Sequence, residues 1–239
     1  IINEYTMESG VRGLKKQMET LCRQAAVKLV KGEQKSITVG VKRLKEFLGR
    51  KKIHHDVRMQ EPQAGVVTGL AWTSAGGEIL FIETSRTKGE GKVQITGQLG
   101  DVMKESVQIA LTLVKSMFPE EAETLNESDI HIHVPAGAVP KDGPSAGITI
   151  VTALTSMLKG KGISPEYAMT GEVSLRGGVM PIGGLPEKLM AAQRAGIRTV
   201  FIPYENREDL EDVADEVKED LTIIPVKRIE EVLQKTNLI

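Results

Sequence analysis

The sequence predicts an irregular α/β fold of the α+β type, preceded by a small and mostly helical segment. Residues 65–239 mix helix-like and strand-like patterns without strict alternation, which argues against a regular βαβ array. Residues 51–64 are polar, have no period and contain Pro62, so they predict a linker after a helical unit over residues 1–50. Residues 1–60 hold 14 Lys and Arg against 6 Asp and Glu, whereas the remainder holds 17 against 26. This split indicates two units with different surfaces.

The composition is that of an ordinary globular protein, with 40% hydrophobic and 26% charged residues among 239. No apolar run reaches the roughly 18 residues that a membrane span needs, and the N-terminal residues lack the layout of a signal peptide. The single cysteine, Cys22, excludes an intrachain disulfide and a multi-cysteine zinc site, so a cytoplasmic setting is expected. The first residue is Ile1 rather than Met, which suggests a fragment of a longer protein.

Two helices with a short strand between them are predicted in the first unit. Apolar residues at helical spacing predict a helix over residues 6–31, ended by Gly32. The stripe comprises Leu14, Met18, Leu21, Cys22, Ala25 and Leu29. Residues 36–39 predict a strand, and residues 41–48 predict a second helix that ends at Gly49.

The second unit opens with a hairpin signal, because residues 66–73 and 78–85 flank Ser74-Ala75-Gly76-Gly77. Further strands are expected at residues 92–97, 130–134, 167–175, 199–203 and 221–225. Helices are expected at residues 101–118, 144–158, 186–195, 205–217 and 229–234. The helix over 144–158 is apolar nearly all round, so we expect it to be buried.

The pentapeptide Gly143-Pro144-Ser145-Ala146-Gly147 opens this buried helix after a loop rich in Gly and Pro. Pro144 suits the first helical position, which places Ser145 in the first turn, where backbone N–H groups lack intrahelical acceptors. Those donors and the positive end of the helix dipole can stabilise an oxyanion. The turn therefore predicts a nucleophile, Ser145, with an oxyanion hole around Gly143, Pro144 and Ala146. An ordinary capped helix start is the alternative.

No histidine follows Ser145 in the chain. The four histidines are His54, His55, His131 and His133. The G-x-S-x-G elbow of α/β-hydrolases needs an acid and then a histidine after the serine, so chain order excludes it. The order His133, Asp142, Ser145 leaves a chymotrypsin-like triad formally open, although Asp142 lies only three residues before the serine. His131 and His133 share one face of a strand and could begin a metal site, but the sequence places no third ligand.

If histidine is not the base for Ser145, lysine is the alternative proton acceptor. Lys188 follows the apolar, Gly- and Pro-rich residues 179–186, and Pro186 at the first helical position puts Lys188 in the first turn. The positive helix end and burial both disfavour an ammonium there. General-base work needs a pKa about 3 units below the ordinary lysine value near 10.4. Lys188 is thus the predicted base; a lysine that reaches solvent or pairs with Glu187 is the alternative.

These residues resemble motifs of the Lon protease family. Residues 131–147, HIHVPAGAVPKDGPSAG, resemble its serine motif. Residues 170–188, which contain TGEVSLRG and PIGGLPEK, resemble its lysine motif. The interval of 43 residues between Ser145 and Lys188 agrees with the family.

The resemblance covers essentially all of residues 65–239, and residues 1–50 are similar to the end of the helical subdomain of the family's AAA+ ATPase module. It implies a Lon-type peptidase domain that cleaves unfolded or damaged polypeptides through a Ser145–Lys188 dyad and an acyl-enzyme. Thr170 is implied to hold the Lys188 amine neutral by hydrogen bonding.

Two further residues are singled out beside this resemblance. Asp142 is a candidate supporting residue, because a carboxylate paired with Lys188 would raise the lysine pKa and switch the base off. Arg12, within Gly10-Val-Arg-Gly13, resembles the sensor-2 arginine that responds to nucleotide in the family.

The family is ATP-dependent, yet the P-loop G-x-x-x-x-G-K-[ST] is absent from this chain. No cofactor or metal is therefore expected here, and ATP and Mg²⁺ would be bound by an ATPase core outside it. The resemblance implies a cytoplasmic homohexamer of protein quality control and the stress response, which works with the ATPase module of its own chain and not with membranes. The rivals are a non-catalytic scaffold or assembly domain, and DNA binding through the basic residues 1–60. A solvated helical face explains that basic stretch equally well.

Overall fold

The protein forms two compact units. The computed structural model describes residues 1–6, 8, 10–32, 35–53, 56–73, 75–136 and 139–239. The units comprise residues 1–55 with 74–76, and residues 56–73 with 77–239. The predicted linker over residues 51–64 stays a prediction, and His54, His55 and Ser74 lie outside the described residues. In the described part of the chain, no helix is both long and apolar enough to cross a membrane.

The first unit is mostly helical. Its elements are α1 (Ile2–Tyr5), α2 (Arg12–Val30), a 3₁₀ turn (Val41–Arg43) and α3 (Leu44–Leu48). α2 starts six residues later than predicted, because the Glu8 carboxylate accepts hydrogen bonds from the N–H groups of Gly13 (2.6 Å) and Leu14 (2.9 Å) and caps the helix there. Met7 and Ser9, which fall in the predicted span, lie outside the described residues.

The prediction of a strand at residues 36–39 is wrong. These residues join no strand among the described residues of the unit, and so short an apolar pattern needs a partner strand to become one. The helix predicted over residues 41–48 forms as the 3₁₀ turn and α3, which buries Leu44 and Phe47.

The second unit is a mixed α/β domain. Its strands are β1 (Val66–Thr73), β2 (Gly76–Lys88), β3 (Val93–Thr96), β4 (Ser128–His133), β5 (Tyr167–Met169), β6 (Glu172–Val173), β7 (Val179–Met180), β8 (Thr199–Pro203) and β9 (Thr222–Val226). Its helices are α4 (Asp101–Met117), α5 (Pro119–Asn126), α6 (Gly147–Lys159), α7 (Leu185–Arg194), α8 (Asp215–Asp220) and α9 (Ile229–Lys235), with 3₁₀ helices at Pro144–Ala146 and Tyr204–Asp212.

Seven strands form one central sheet in the order β3-β4-β2-β1-β5-β8-β9. The pairs β3/β4, β1/β5, β5/β8 and β8/β9 are parallel, whereas β2/β4 is antiparallel. Strands β6 and β7 form a separate antiparallel pair. The predicted irregular α/β class is therefore confirmed, with a mostly parallel sheet at its centre.

Helices cover both faces of this sheet. Along β8, Phe201 packs with α4, α6 and α9, whereas its neighbours Val200 and Ile202 pack with α7 and α8. Alternate strand residues point to opposite faces, so α6 and α7 lie on opposite sides of the sheet. The predicted burial of the 144–158 helix is confirmed, since the residues of α6 from Gly147 to Ser156 are all buried.

Several elements of this unit differ from prediction. The strand expected over residues 167–175 is interrupted at Thr170-Gly171, because the Gly171 N–H donates to the Ser145 carbonyl instead of a neighbouring strand. The helix expected over residues 205–217 is a 3₁₀ helix followed by α8. Helix α5 was not predicted; it buries a single apolar residue, Leu125, so it carries almost no periodic signal.

Candidate active site

Ser145 lies in the 3₁₀ helix Pro144–Ala146, directly before α6, and is half-buried. Two reciprocal backbone bonds tie this turn to the residues after β5. The Ser145 carbonyl accepts the Gly171 N–H at 2.8 Å, and the Gly171 carbonyl accepts the Ile148 N–H at 3.1 Å. Close approach here requires glycine, because a Cβ at Gly147 would lie 2.7 Å from the Val173 nitrogen. The serine turn is therefore fixed against the end of a central strand.

Lys188 lies in α7 and is almost wholly buried, with 3% of its surface exposed. The helix begins at Leu185, one residue before the predicted Pro186, so Lys188 is its fourth residue and donates its N–H to the Gly184 carbonyl at 3.1 Å. Burial lowers the pKa of Lys188 to about 8. Lys188 forms no ion pair with any acidic residue that the structure describes, so no carboxylate opposes this shift.

Thr170 connects the lysine to the serine turn. Lys188 Nζ donates to Thr170 Oγ1 at 3.1 Å, and Thr170 Oγ1 donates to the Ser145 carbonyl at 3.3 Å. The Thr170 side chain is completely buried, and its N–H donates to the Phe201 carbonyl of β8. The structure thus brings Ser145, Thr170 and Lys188 together. Among the described residues, Lys188 Nζ has no hydrogen bond to Ser145 Oγ.

Asp142 forms no ion pair with Lys188 in the described structure. Its Oδ1 accepts the N–H of Met103, in the first turn of α4, at 2.9 Å, and that of Gly143 at 2.9 Å. The carboxylate therefore caps α4. A Cβ at Gly100 would lie 2.4 Å from Asp142 Oδ2, so only glycine leaves room for the cap.

The backbone donors expected for an oxyanion are only partly available. The Gly143 N–H is engaged by Asp142, and Pro144 has no N–H. The Ser145 N–H finds no acceptor among the residues that the structure describes. Ala146 is buried at the junction with α6. The Ser145 N–H is thus a donor left open to a ligand at this turn.

The alternative chymotrypsin-like triad is not assembled. Thr96 Oγ1 is hydrogen-bonded to His131 Nε2 at 2.8 Å and to His133 Nδ1 at 2.7 Å, whereas Asp142 caps α4. In the described part of the chain, no group of three His, Cys, Asp or Glu residues could hold a metal ion. The two histidines thus share one hydroxyl on the polar face of β4.

Arg12, the predicted nucleotide-sensing residue, is the first residue of α2 in the other unit and is exposed. Its predicted role stays a prediction.

Sequence reasoning missed two residues that shape the surroundings of the site. Asn206 is buried and binds both backbone groups of Ile182: its Oδ1 accepts the N–H at 3.0 Å, and its Nδ2 donates to the carbonyl at 2.8 Å. Asn206 thereby fixes the loop that leads to α7. Lys141 binds backbone carbonyls of the loop before Ser145. Lys141 lies within the serine motif and Asn206 lies outside both motifs, and in neither case does a polar residue reveal its backbone partner.

Comparison with family models assigns most of the chain. Residues 38–238 match the model described as "Lon protease (S16) C-terminal proteolytic domain". Residues 1–37 match the model described as "Lon protease AAA+ ATPase lid domain".

Curated proteins named Lon protease align along nearly the whole chain. The chain is 56% identical to that of Clostridium beijerinckii over 237 residues, 52% to that of Methanosarcina barkeri over 238, and 50% to that of Escherichia coli K12 over 237. These alignments cover 99%, 98% and 98% of this chain but 30% of each relative. The chain thus spans about three tenths of the length of these relatives.

Proposed function

The chain belongs to the Lon protease family, and from that membership we propose that it is the peptidase part of an ATP-dependent serine endopeptidase, with Ser145 as nucleophile and Lys188 as base. The observation that carries the proposal is the buried Lys188 amine, which is hydrogen-bonded to Thr170 beside the serine turn. A lysine with a pKa near 8 is neutral often enough to accept a proton at physiological pH.

In the proposed reaction, neutral Lys188 takes the Ser145 proton as Oγ attacks a peptide carbonyl. The Ser145 N–H, which has no acceptor in the described structure, stabilises the oxyanion. Lys188 then gives its proton to the leaving amine, and a water molecule activated by the same lysine hydrolyses the ester. Ser145 Oγ and Lys188 Nζ must come within hydrogen-bond distance for this step, and such bonds are often long before substrate binds.

Thr170 has two roles in this proposal. Its oxygen accepts a hydrogen bond from Lys188, and a neutral hydroxyl does not favour the ammonium as a carboxylate would. The Thr170 hydroxyl also donates a hydrogen bond to the Ser145 carbonyl, and this bond keeps the serine turn and the lysine at a fixed spacing. Asp142 supports the site from the other side, because it fixes the residues before Ser145 on α4. A state in which Asp142 instead pairs with Lys188 and switches off the base stays a prediction.

The substrate proposed is unfolded or damaged polypeptide, bound as an extended strand, because backbone recognition tolerates varied side chains. ATP and Mg²⁺ would be bound by an ATPase core outside these residues. A homohexamer, a cytoplasmic location, a role in stress response and DNA binding through residues 1–60 stay predictions. The division into residues 1–50, 51–64 and 65–239 is likewise part of the proposal.

The test is cleavage of a fluorogenic unfolded peptide by this chain and its variants. Ser145→Ala and Lys188→Met should each abolish cleavage, because one lacks the nucleophile and the other the base. Ser85→Ala, which alters an exposed serine of β2, should cleave at the parent rate. Circular dichroism should show all variants folded. Cleavage that persists in Ser145→Ala would remove the serine from the mechanism.

A further inference from the structure

Lys141 lies four residues before Ser145 and is bound by an unusual set of acceptors. Its Nζ donates to three backbone carbonyls: Gly97 at 3.1 Å, Ala136 at 2.8 Å and Val139 at 3.0 Å. An ammonium has three N–H donors, so this set uses all of them. Two of the acceptors lie in the loop between β4 and the serine turn, and the third lies in the turn after β3.

The charged form of Lys141 is the one that fits this arrangement. A neutral amine has only two N–H groups, and its lone pair would face a carbonyl oxygen. Partial burial lowers the pKa of Lys141 from its ordinary value, but the three carbonyl oxygens favour the ammonium by hydrogen bonding. Lys141 is thus a fixed positive charge that holds carbonyl groups together, in contrast to Lys188.

The backbone of Lys141 makes a second attachment to the same turn. Its N–H donates to the Gln98 carbonyl at 3.0 Å, and its carbonyl accepts the Gly100 N–H at 2.8 Å. The turn can approach this closely only at glycine, since a Cβ at Gly97 would lie 2.2 Å from the Val134 carbonyl oxygen. The side chain of Lys141 thus binds Gly97, and its main chain binds Gln98 and Gly100. Both attach the serine loop to the same turn.

The next residue extends this attachment to α4. Asp142 caps the helix through Met103, so two consecutive residues anchor the loop, and Ser145 follows after only Gly143 and Pro144. Beyond Ser145, the chain is held by Gly171. The position of the nucleophile is thus set by one anchor on each side.

We propose that Lys141 is a positioning residue for the nucleophile, because its ammonium ties the serine loop to the turn between β3 and α4 and so fixes Ser145 and its N–H relative to Lys188. The inference rests on the proposed function. Lys141 itself exchanges no proton and contacts no substrate in this role.

The experiment compares Lys141→Met, which keeps the length and removes all three donors, with Lys141→Arg, which keeps the charge and several donors. Lys161→Met is the matched control, because Lys161 also donates to a backbone carbonyl, that of Asn237, outside the serine loop. Each variant is assayed for kcat and KM on the fluorogenic peptide, for the rate of labelling by a fluorophosphonate, and for amide hydrogen exchange of residues 139–146.

Lys141→Met should lower kcat by about tenfold to a hundredfold, as expected when a nucleophile shifts by roughly 1 Å. The labelling rate should fall by a similar factor, while KM and the midpoint of the pH–rate profile stay unchanged because Lys188 is intact. Exchange of residues 139–146 should accelerate, Lys141→Arg should recover most of the activity, and Lys161→Met should match the parent.

Parent values of kcat and of labelling in a folded Lys141→Met variant would overturn the inference. If that variant does not fold, Lys141→Gln, which keeps one amide donor, takes its place with the same decisive outcomes. A parent chain without Ser145-dependent cleavage or labelling would overturn the proposed function instead. In that case hydrogen exchange alone decides the attachment: unchanged exchange in Lys141→Met excludes it.

Discussion

Lys188 shows how surroundings change the chemistry of one side chain. An exposed lysine holds its proton until about pH 10.4, whereas Lys188 is buried and lacks an acidic partner among the described residues. Among the residues that the structure describes, its side-chain acceptor is the neutral hydroxyl of Thr170. Desolvation is therefore the dominant cause of its lowered pKa, and the sign suits a general base.

The pH dependence of cleavage follows from this pKa. With a pKa of about 8, roughly one Lys188 in ten is neutral at pH 7 and roughly nine in ten at pH 9. Because only the neutral amine accepts the Ser145 proton, kcat should rise about tenfold between pH 7 and pH 9 and then level off. The measurement is kcat from pH 6 to 10 on a peptide without ionisable side chains. A rate independent of pH across this range would count against lysine as the base.

Chain order and local pattern were enough to nominate Ser145 and Lys188. A serine in the first turn of an apolar helix and a lysine behind an apolar Gly/Pro stretch both carry signals in their own neighbourhoods. The partners of Asp142 and Lys141 could not be inferred in this way. Asp142 binds the Met103 N–H and Lys141 binds the Gly97 carbonyl, each about 40 residues away in the chain, and backbone groups leave no residue signature.

At the scale of elements, the start of α7 depends on the end of β1 and the beginning of β2. A Cβ at Gly77 would lie 2.0 Å from the Glu187 carbonyl oxygen, and one at Gly184 would lie 2.7 Å from Trp72 Cγ. Gly184 is also left-handed, with φ at 69°. The two strands therefore pack directly against the first turn of the helix that carries Lys188.

Two neighbouring glycines allow this arrangement to be tested. Gly184→Ala should lower the free energy of unfolding by about 1–3 kcal/mol, because alanine is strained at positive φ and would clash with Trp72. It should also lower kcat, because it displaces Lys188. Gly183→Ala is the control, since a Cβ there meets nothing within 4 Å. Urea unfolding and peptide cleavage measure both effects; equal stability of the two variants would contradict the packing argument.

Elements with strong periodic signals were predicted with near-correct bounds, and weak ones were not. Strands β1 and β8 match their predicted spans, because each is a run of residues that favour β-structure and is bounded by residues that end a strand. The interruption at Thr170-Gly171 was invisible, since it arises when the serine turn takes the hydrogen bond that a strand would use. The strand predicted over residues 167–175 is thus interrupted because the site itself takes one of its hydrogen bonds.

At the scale of the molecule, the central sheet separates the helices that carry the two reactive groups. The nucleophile precedes α6 on one face, and Lys188 lies in α7 on the other. They approach each other beyond the carboxyl end of β5, where Thr170 lies. Crevices at the carboxyl ends of parallel strands are where open α/β sheets commonly bind ligands.

The free energy of unfolding of the domain should depend on the protonation of the buried Lys188 amine. Folded Lys188 has a pKa of about 8, below that of the unfolded chain near 10.4, so the folded state binds fewer protons between these values. Stability should therefore rise with pH across that window, and below pH 8 the full penalty, up to about 3 kcal/mol, applies.

Lys188→Met should relieve this penalty. Its free energy of unfolding should exceed that of the parent at pH 7, by up to about 3 kcal/mol, and the difference should shrink toward pH 10.4. Urea titrations at both pH values measure it, with Lys161→Met as the exposed control. A constant difference at the two pH values would contradict a protonation origin.

The burial of Lys188 has a consequence for how such a chain changes over generations. If methionine at this position stabilises the domain, inactive descendants gain robustness from the very mutation that silences them. Drift without selection for cleavage should then eliminate the lysine early while leaving the scaffold intact.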